Sequence, residues 1–233
     1  MLNKTQLPDG SPTISEWPVR IWKIEEVPRQ YAPAVHMWLK APFSEYDFVY
    51  APKRKTNAET FEYLFGYGND TIVFLRRSSA GAVLHPVEID RQQITEVETE
   101  RELLNAKMIL HYRENDTGKT LELPYIPSVY YLYDPFLNWL LGLEKGFMPG
   151  LAEQEHPRPQ KLYRESLAMF NYSLNAYRLG SGFEQYQYES RQHRCKWMPW
   201  KKISEEWLKV SMERGRFELH SYGYLTQCAY CIR

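Results

Sequence analysis

The alternation of apolar and polar residues changes period twice along the chain. Between residues 45 and 126 it runs mostly at two, the repeat of a strand with one covered face. Pro18 to Val27 alternates weakly, and Ala32 to Phe43 suits a short helix or covered loop. Gly66-Tyr67-Gly68-Asn69-Asp70 is predicted as a turn, since Gly, Asn and Asp tolerate left-handed backbone. Thr71 to Arg77 (TIVFLRR), Ala82 to Ile89, Ile94 to Val97, Leu103 to Tyr112 and Thr120 to Ile126 are predicted strands. Arg113 to Lys119 is the hairpin between the last two, with Asp116-Thr117-Gly118 at its tip. After Ile126 the period becomes 3.6: Val129, Leu132, Tyr133, Phe136, Leu137, Leu140 and Leu141 form a helical stripe. Pro135 suits a first helical turn, so the helix is expected over 135–143, beginning near Asp134.

Leu143 to Gln160 is rich in Pro and Gly and reads as a linker. Beyond it, Tyr163 to Arg178 reads as a helix stopped at Gly180. Phe183 to Trp197 holds possible strands. Ser204 suits an N-cap for a helix over Glu205 to Arg214, with Gly215 just past its end. Arg216 to Tyr224 alternates as a strand.

About six strands followed by one striped helix predict an α+β fold: a bent antiparallel sheet, or partly open barrel, closed by a C-terminal helix. The run EYLFGYGNDTIVFLRR, then ELPYIPSVYYLYDPFLNWLLG after the hairpin, resembles bacterial pleckstrin-homology-like domain proteins of unknown function. The resemblance covers about residues 45–148. It implies a non-catalytic binding or assembly domain and carries over no ligand residues, since Arg76 and Arg77 beside SSAG are too few for a phosphoinositide site. The expected organisation is an N-terminal extension over 1–44, the pleckstrin-homology-like domain over 45–148, and a smaller α+β region over 160–233.

Composition adds bounds. The 233 residues are 43% hydrophobic and 25% charged, with 29 basic and 29 acidic side chains, as in a folded globular protein. No apolar run reaches the roughly 20 residues of a membrane span. Residues 1–16 have no apolar core and read as a mobile lead-in, so a cytoplasmic address is expected. The neutral total hides a net −5 over residues 51–155 and a net +6 over 156–233. That asymmetry suggests two modules or one with polarised faces.

Four groups of residues are candidates for chemistry. Gly66-Tyr67-Gly68 and Gly180-Ser181-Gly182 lack the third Gly of a dinucleotide loop and are read as turns. Cys228-Ala229-Tyr230-Cys231 is C-x-x-C, which with Cys195 and either His193 or His220 offers zinc a ligand set; ordinary thiols are the simpler reading, and no cofactor is expected. Glu96, Glu98, Glu100 and Glu102 repeat at period two and read as a carboxylate-rich strand face or loop; paired carboxylates can bind a hard cation, and a solvated face is the simpler reading. Finally, RQHRCKWMPWKK interleaves Arg191, Arg194, Lys196, Lys201 and Lys202 with Trp197 and Trp200. Cations and stacking rings in that order suit single-stranded nucleic acid or an anionic surface. A basic turn with core tryptophans is the competing reading.

The function expected is a non-catalytic cytoplasmic binding or assembly module with a protein partner or a second copy. The alternative is a nucleic-acid- or zinc-binding protein, or an enzyme, with its site in the C-terminal third.

Overall fold

The computed structural model describes residues 17–55, 60–77, 86–143, 147–194 and 202–232. The fold is mixed α and β, with two open antiparallel sheets, and the chain divides into two compact units.

The first unit comprises residues up to Gln92 together with Ser128–Leu132. Its sheet is a five-stranded meander of β1 (Val19–Ile21), β2 (Tyr46–Lys55), β3 (Thr60–Gly68), β4 (Thr71–Arg76) and β5 (Val87–Asp90). The β3–β4 hairpin turns at Asn69 and Asp70, both with positive φ, as a two-residue turn matching strand twist requires. Gly66 and Gly68 therefore lie within β3. Gly66 is needed for space: a Cβ there would stand 2.3 Å from the Phe48 ring.

Helix α1 (Ala32–Trp38) buries Val35 and Trp38 in this unit's core. Ile21, Val27 and Tyr31 join Tyr46, Phe48, Leu64, Val73 and Leu75 in the same cluster. Trp38 packs edge-on to Phe48 with centroids 5.7 Å apart. The segment expected as an extension thus supplies a strand, a helix and part of the core. Its first 16 residues lie outside the described ones.

The second unit comprises Gln93–Pro127 and Tyr133–Arg233. Two meanders build it: β6 (Ile94–Glu102), β7 (Asn105–Glu114) and β8 (Thr117–Tyr125), then β9 (Gln185–Arg194), β10 (Lys202–Met212), β11 (Gly215–Tyr222) and β12 (Leu225–Ile232). β12 pairs with β6, giving the order 8-7-6-12-11-10-9 and placing the last strand at the sheet centre. The strands expected to make one bent sheet over 45–148 therefore fall into two sheets. The β7–β8 turn is Asn115–Asp116, both at positive φ, leaving Thr117 and Gly118 in the strand.

Period two governs the core side. Val97, Met108, Leu110, Leu121, Leu123, Leu208, Val210, Met212, Phe217, Leu219, Cys228 and Tyr230 are all buried. The expected helix over 205–214 is strand β10: Leu208, Val210 and Met212 share a face at every second residue, and pairing on both edges outweighs the helical signal of Ser204. Gly215 opens β11 rather than ending a helix. A Cβ there would meet the Cys231 carbonyl oxygen at 2.1 Å.

Helix α2 (Asp134–Leu140) starts where Pro135 predicts and buries Phe136, Leu137, Asn138 and Leu140. The linker region holds α3 (Pro149–Glu155). The expected helix over 163–178 is broken into α4 (Gln160–Glu165), α5 (Leu167–Tyr172) and a 3-10 segment, Ser173–Leu179. Ser166 causes the break: its extended backbone ends α4, and its hydroxyl accepts from Met169 N at 3.2 Å to cap α5.

Arginines fasten these pieces. Arg178, 6% exposed, bonds Asp134 Oδ1 at 2.6 Å and Asn138 Oδ1. Arg214 donates to the carbonyls of Leu141 (2.9 Å) and Arg178 (2.6 Å).

Candidate functional site

The face of the seven-stranded sheet opposite the core is mostly polar, with Ile109, Ala229, Leu225 and Ile203 set among its polar residues. Directly opposed residues of antiparallel strands share a face, so the register defines it. It carries Glu96, Glu98, Glu100 and Glu102 of β6, flanked by His111 and Lys107 of β7 and by Gln227 and Cys231 of β12. Beyond β12 follow Arg216, Glu218 and His220 of β11, then Glu205, Trp207 and Lys209 of β10, then Glu189, Arg191 and His193 of β9. With Glu122 of β8 and Arg113 of β7, eight carboxylates stand against five permanent cations on this face among the described residues.

Two centres stand out. In the first, Glu205 bridges two imidazoles: Oε2 is 2.5 Å from His193 Nε2, and Oε1 is 3.0 Å from His220 Nε2. Desolvation pushes the Glu205 carboxyl up, but the hydrogen bonds from His220 and His193 outweigh it and hold the group below its ordinary value. His220 stacks on Trp207 with centroids 5.2 Å apart, and the Arg191 guanidinium lies 5.1 Å from the Trp207 ring. From His220 the chain of contacts crosses the sheet: Nδ1 to Gln227 at 3.2 Å, Gln227 to Glu100 at 3.2 Å, and Lys107 between Glu100 (3.6 Å) and Glu122 (3.5 Å). A depression of about 180 Å³ lies beside it, lined among others by Trp207, His220, Gln227, Glu96 and Glu98.

The second centre is Glu96, Glu98 and His111, whose donor atoms all lie within 4.8 Å of one another. Glu98 Oε1 is 3.1 Å from His111 Nε2. Cys231 Sγ is 3.4 Å from Glu96 Oε1, and burial, then the Glu96 charge, pushes that thiol up to about 11.

The first unit has one further polar cluster. Buried Glu62 accepts from Gln30 (2.8 Å), Tyr50 (3.2 Å) and Arg77 (3.2 Å). Burial, reinforced by Glu62, pushes the Tyr50 hydroxyl up to about 12 and Tyr31 higher still. Phenols held neutral around a buried Glu62 whose partner Arg77 reaches solvent make a structural polar cluster rather than reactive groups. No family model, curated protein or solved structure matches the chain.

The residues singled out from sequence are dispersed by this register. Arg191 is on the open face, directly opposite Glu205. Arg194 and Lys202 pair with each other on the other face, because a strand alternates. Lys196, Trp197, Trp200, Lys201 and Cys195 lie outside the described residues.

Cys228 and Cys231, three apart on β12, point to opposite faces. Cys228 is buried beside Thr99, and burial raises its thiol to about 11. A strand cannot close C-x-x-C around one ion, so the two thiols offered as alternative zinc ligands do not converge. The two histidines offered as fourth ligands both face Glu205 instead. His111 was the residue sequence reasoning missed. Its signal was its place at period two from Ile109 and Lys107, but only the β6–β7 register puts it against Glu96.

Proposed function

We propose that the chain is a non-catalytic binding module, and that the open acidic face of its seven-stranded sheet receives a Lys- and Arg-rich protein segment. The observation that carries this reading is the charge of that face: carboxylates lie on five of its seven strands, β6, β8, β9, β10 and β11, with Trp207 and Tyr222 among them. A row of carboxylates steers a cationic partner and orients it, and the rings add contact area with little entropy to lose. The resemblance to pleckstrin-homology-like proteins points to the same class of non-enzymatic module, and a cytoplasmic setting suits it. Among the described residues no helix is long and apolar enough to cross a membrane.

The test is titration of the full chain with polylysine, polyglutamate and a single-stranded oligonucleotide, read by tryptophan fluorescence at two salt concentrations. Polylysine should bind, and more weakly at high salt, since screening acts on exposed charge. Glu122→Gln and Glu189→Gln, both at exposed positions, should each weaken it severalfold. Indifference of polylysine binding to both substitutions would overturn the reading, and preference for the oligonucleotide would favour the basic stretch around 191–202 instead.

A further inference from the structure

We propose that Glu96, Glu98 and His111 form a binding site for a divalent transition metal ion of the zinc class. The argument starts from the strand. Glu96 and Glu98 are two apart on β6 and so share its open face. The β6–β7 register slips between Ile94 and Glu96: Ile94 opposes Tyr112, whereas Glu96 opposes His111. Thr95 is the extra residue, and its hydroxyl fixes the bulge by donating to the His111 carbonyl at 3.2 Å. A bulge sharpens local twist and re-aims side chains. Here two carboxylates and one imidazole converge, with all donor atoms within 4.8 Å.

The charges around the site favour a cation. Two carboxylates on adjacent face positions repel each other, and the nearest lysines and arginines of this face, apart from exposed Arg113 two residues along β7 from His111, are engaged elsewhere. Lys107 lies between Glu100 and Glu122, while Lys209 and Arg216 pair with Glu218 at 3.5 and 2.6 Å. Arg216 also approaches the Cys231 sulfur at 3.9 Å. Glu98 pairs with His111 at 3.1 Å, a group that can ligate through the same nitrogen. Two oxygens and one imidazole nitrogen suit zinc, cobalt, iron or nickel better than magnesium or calcium, which take oxygen sets. His111 and Glu98 remain about a third exposed, so an ion can reach them from solvent and keep water in its open positions. Cys231, in contact with Glu96, stands at the rim of the site.

This inference does not depend on docking of a basic segment, and metal titration needs no partner. The full chain, stripped with a chelator, is titrated with zinc and separately with magnesium by calorimetry, and the histidine ring protons are followed by NMR. One zinc per chain is expected, with magnesium far weaker and the His111 ring signals moving. His111→Ala and Glu98→Gln should each weaken zinc at least about 10-fold, the loss typical even for outer-sphere partners of a metal site. His193→Ala with His220→Ala should leave zinc affinity unchanged. Circular dichroism of each variant verifies the fold, and Glu98→Gln keeps the test open if His111→Ala does not fold. No zinc binding, or binding insensitive to both ligand substitutions, would overturn the site.

Discussion

Arg178→Met isolates the fastening of the 3-10 segment Ser173–Leu179 to α2. The guanidinium bonds Asp134 at 2.6 Å and the Asn138 side-chain oxygen, and Asn138 is only 9% exposed. Truncation leaves that buried oxygen without its donor, at about 1–3 kcal/mol. The Asp134 side chain is 33% exposed, so water relieves part of its loss, and the ion pair adds about 1 kcal/mol. The total is about 2–4 kcal/mol, at or below the range for breaking a fully buried pair. For a chain of this size that lowers Tm by roughly 4–16 °C. Urea unfolding by circular dichroism measures it, and hydrogen exchange of the α2 amides shows where the loss falls. Because Arg178 and Asn138 share one bond, Asn138→Leu on the Arg178→Met background should cost less than on the parent. If Arg178→Met unfolds with the parent, or the two changes add, the arginine is not the fastener.

Two further outcomes follow from the seven-stranded sheet. Gly215→Ala should destabilise by about 1–3 kcal/mol as β11 moves off the Cys231 carbonyl, and a thermal midpoint equal to the parent's would refute the close approach. The Glu205 carboxyl is depressed in the folded state, so its contribution is present above the ordinary value of 4.5 and is lost as pH falls through the lower folded value. The stability gap between parent and Glu205→Gln should therefore close on acidification below 4.5, and a gap independent of pH would refute the bridge.

How much of this was legible depended on how local the cause was. Asp134 and Pro135 announce α2, and the turn-rich runs around Asn69-Asp70 and 113–119 announce hairpins, the second with its tip at Asn115–Asp116 rather than at Asp116 to Gly118, because a few consecutive residues decide those shapes. The Glu96 to Glu102 row was legible as a carboxylate-rich strand face or loop, and the full length of β6 decides for the strand. Glu205 to Arg214 misled, since Ser204 and Gly215 carry local helix signals while the strand pairing that wins lies in β9 and β11. The helix over 163–178 was over-read because one hydroxyl, that of Ser166, offered the backbone a cap in mid-stripe. Least legible was the pairing of β12 with β6: Cys231 and Glu96 stand opposite each other 135 residues apart. No periodicity records a contact across that separation.

That pairing also settles what the charge asymmetry means. The acidic middle and the basic C-terminal third are not separate charged modules: β6 of the one lies hydrogen-bonded to β12 of the other. Chain order puts the C-terminal strand at the sheet centre, so the carboxylates of β6 meet His220, Gln227 and Arg216 only after the last strand has docked. The Glu96–Glu98–His111 set lies within the β6–β7 pair and the Glu205 bridge within the β9–β11 meander, and the β12–β6 pairing joins the two into one open face. Loop closure over that distance must be met before the pairing is rewarded, so the sheet is expected to complete late in folding. The polar face and the buried face are then two results of one register, since a slip of one residue at β12 would bury Gln227 and Cys231 and expose Cys228 and Tyr230.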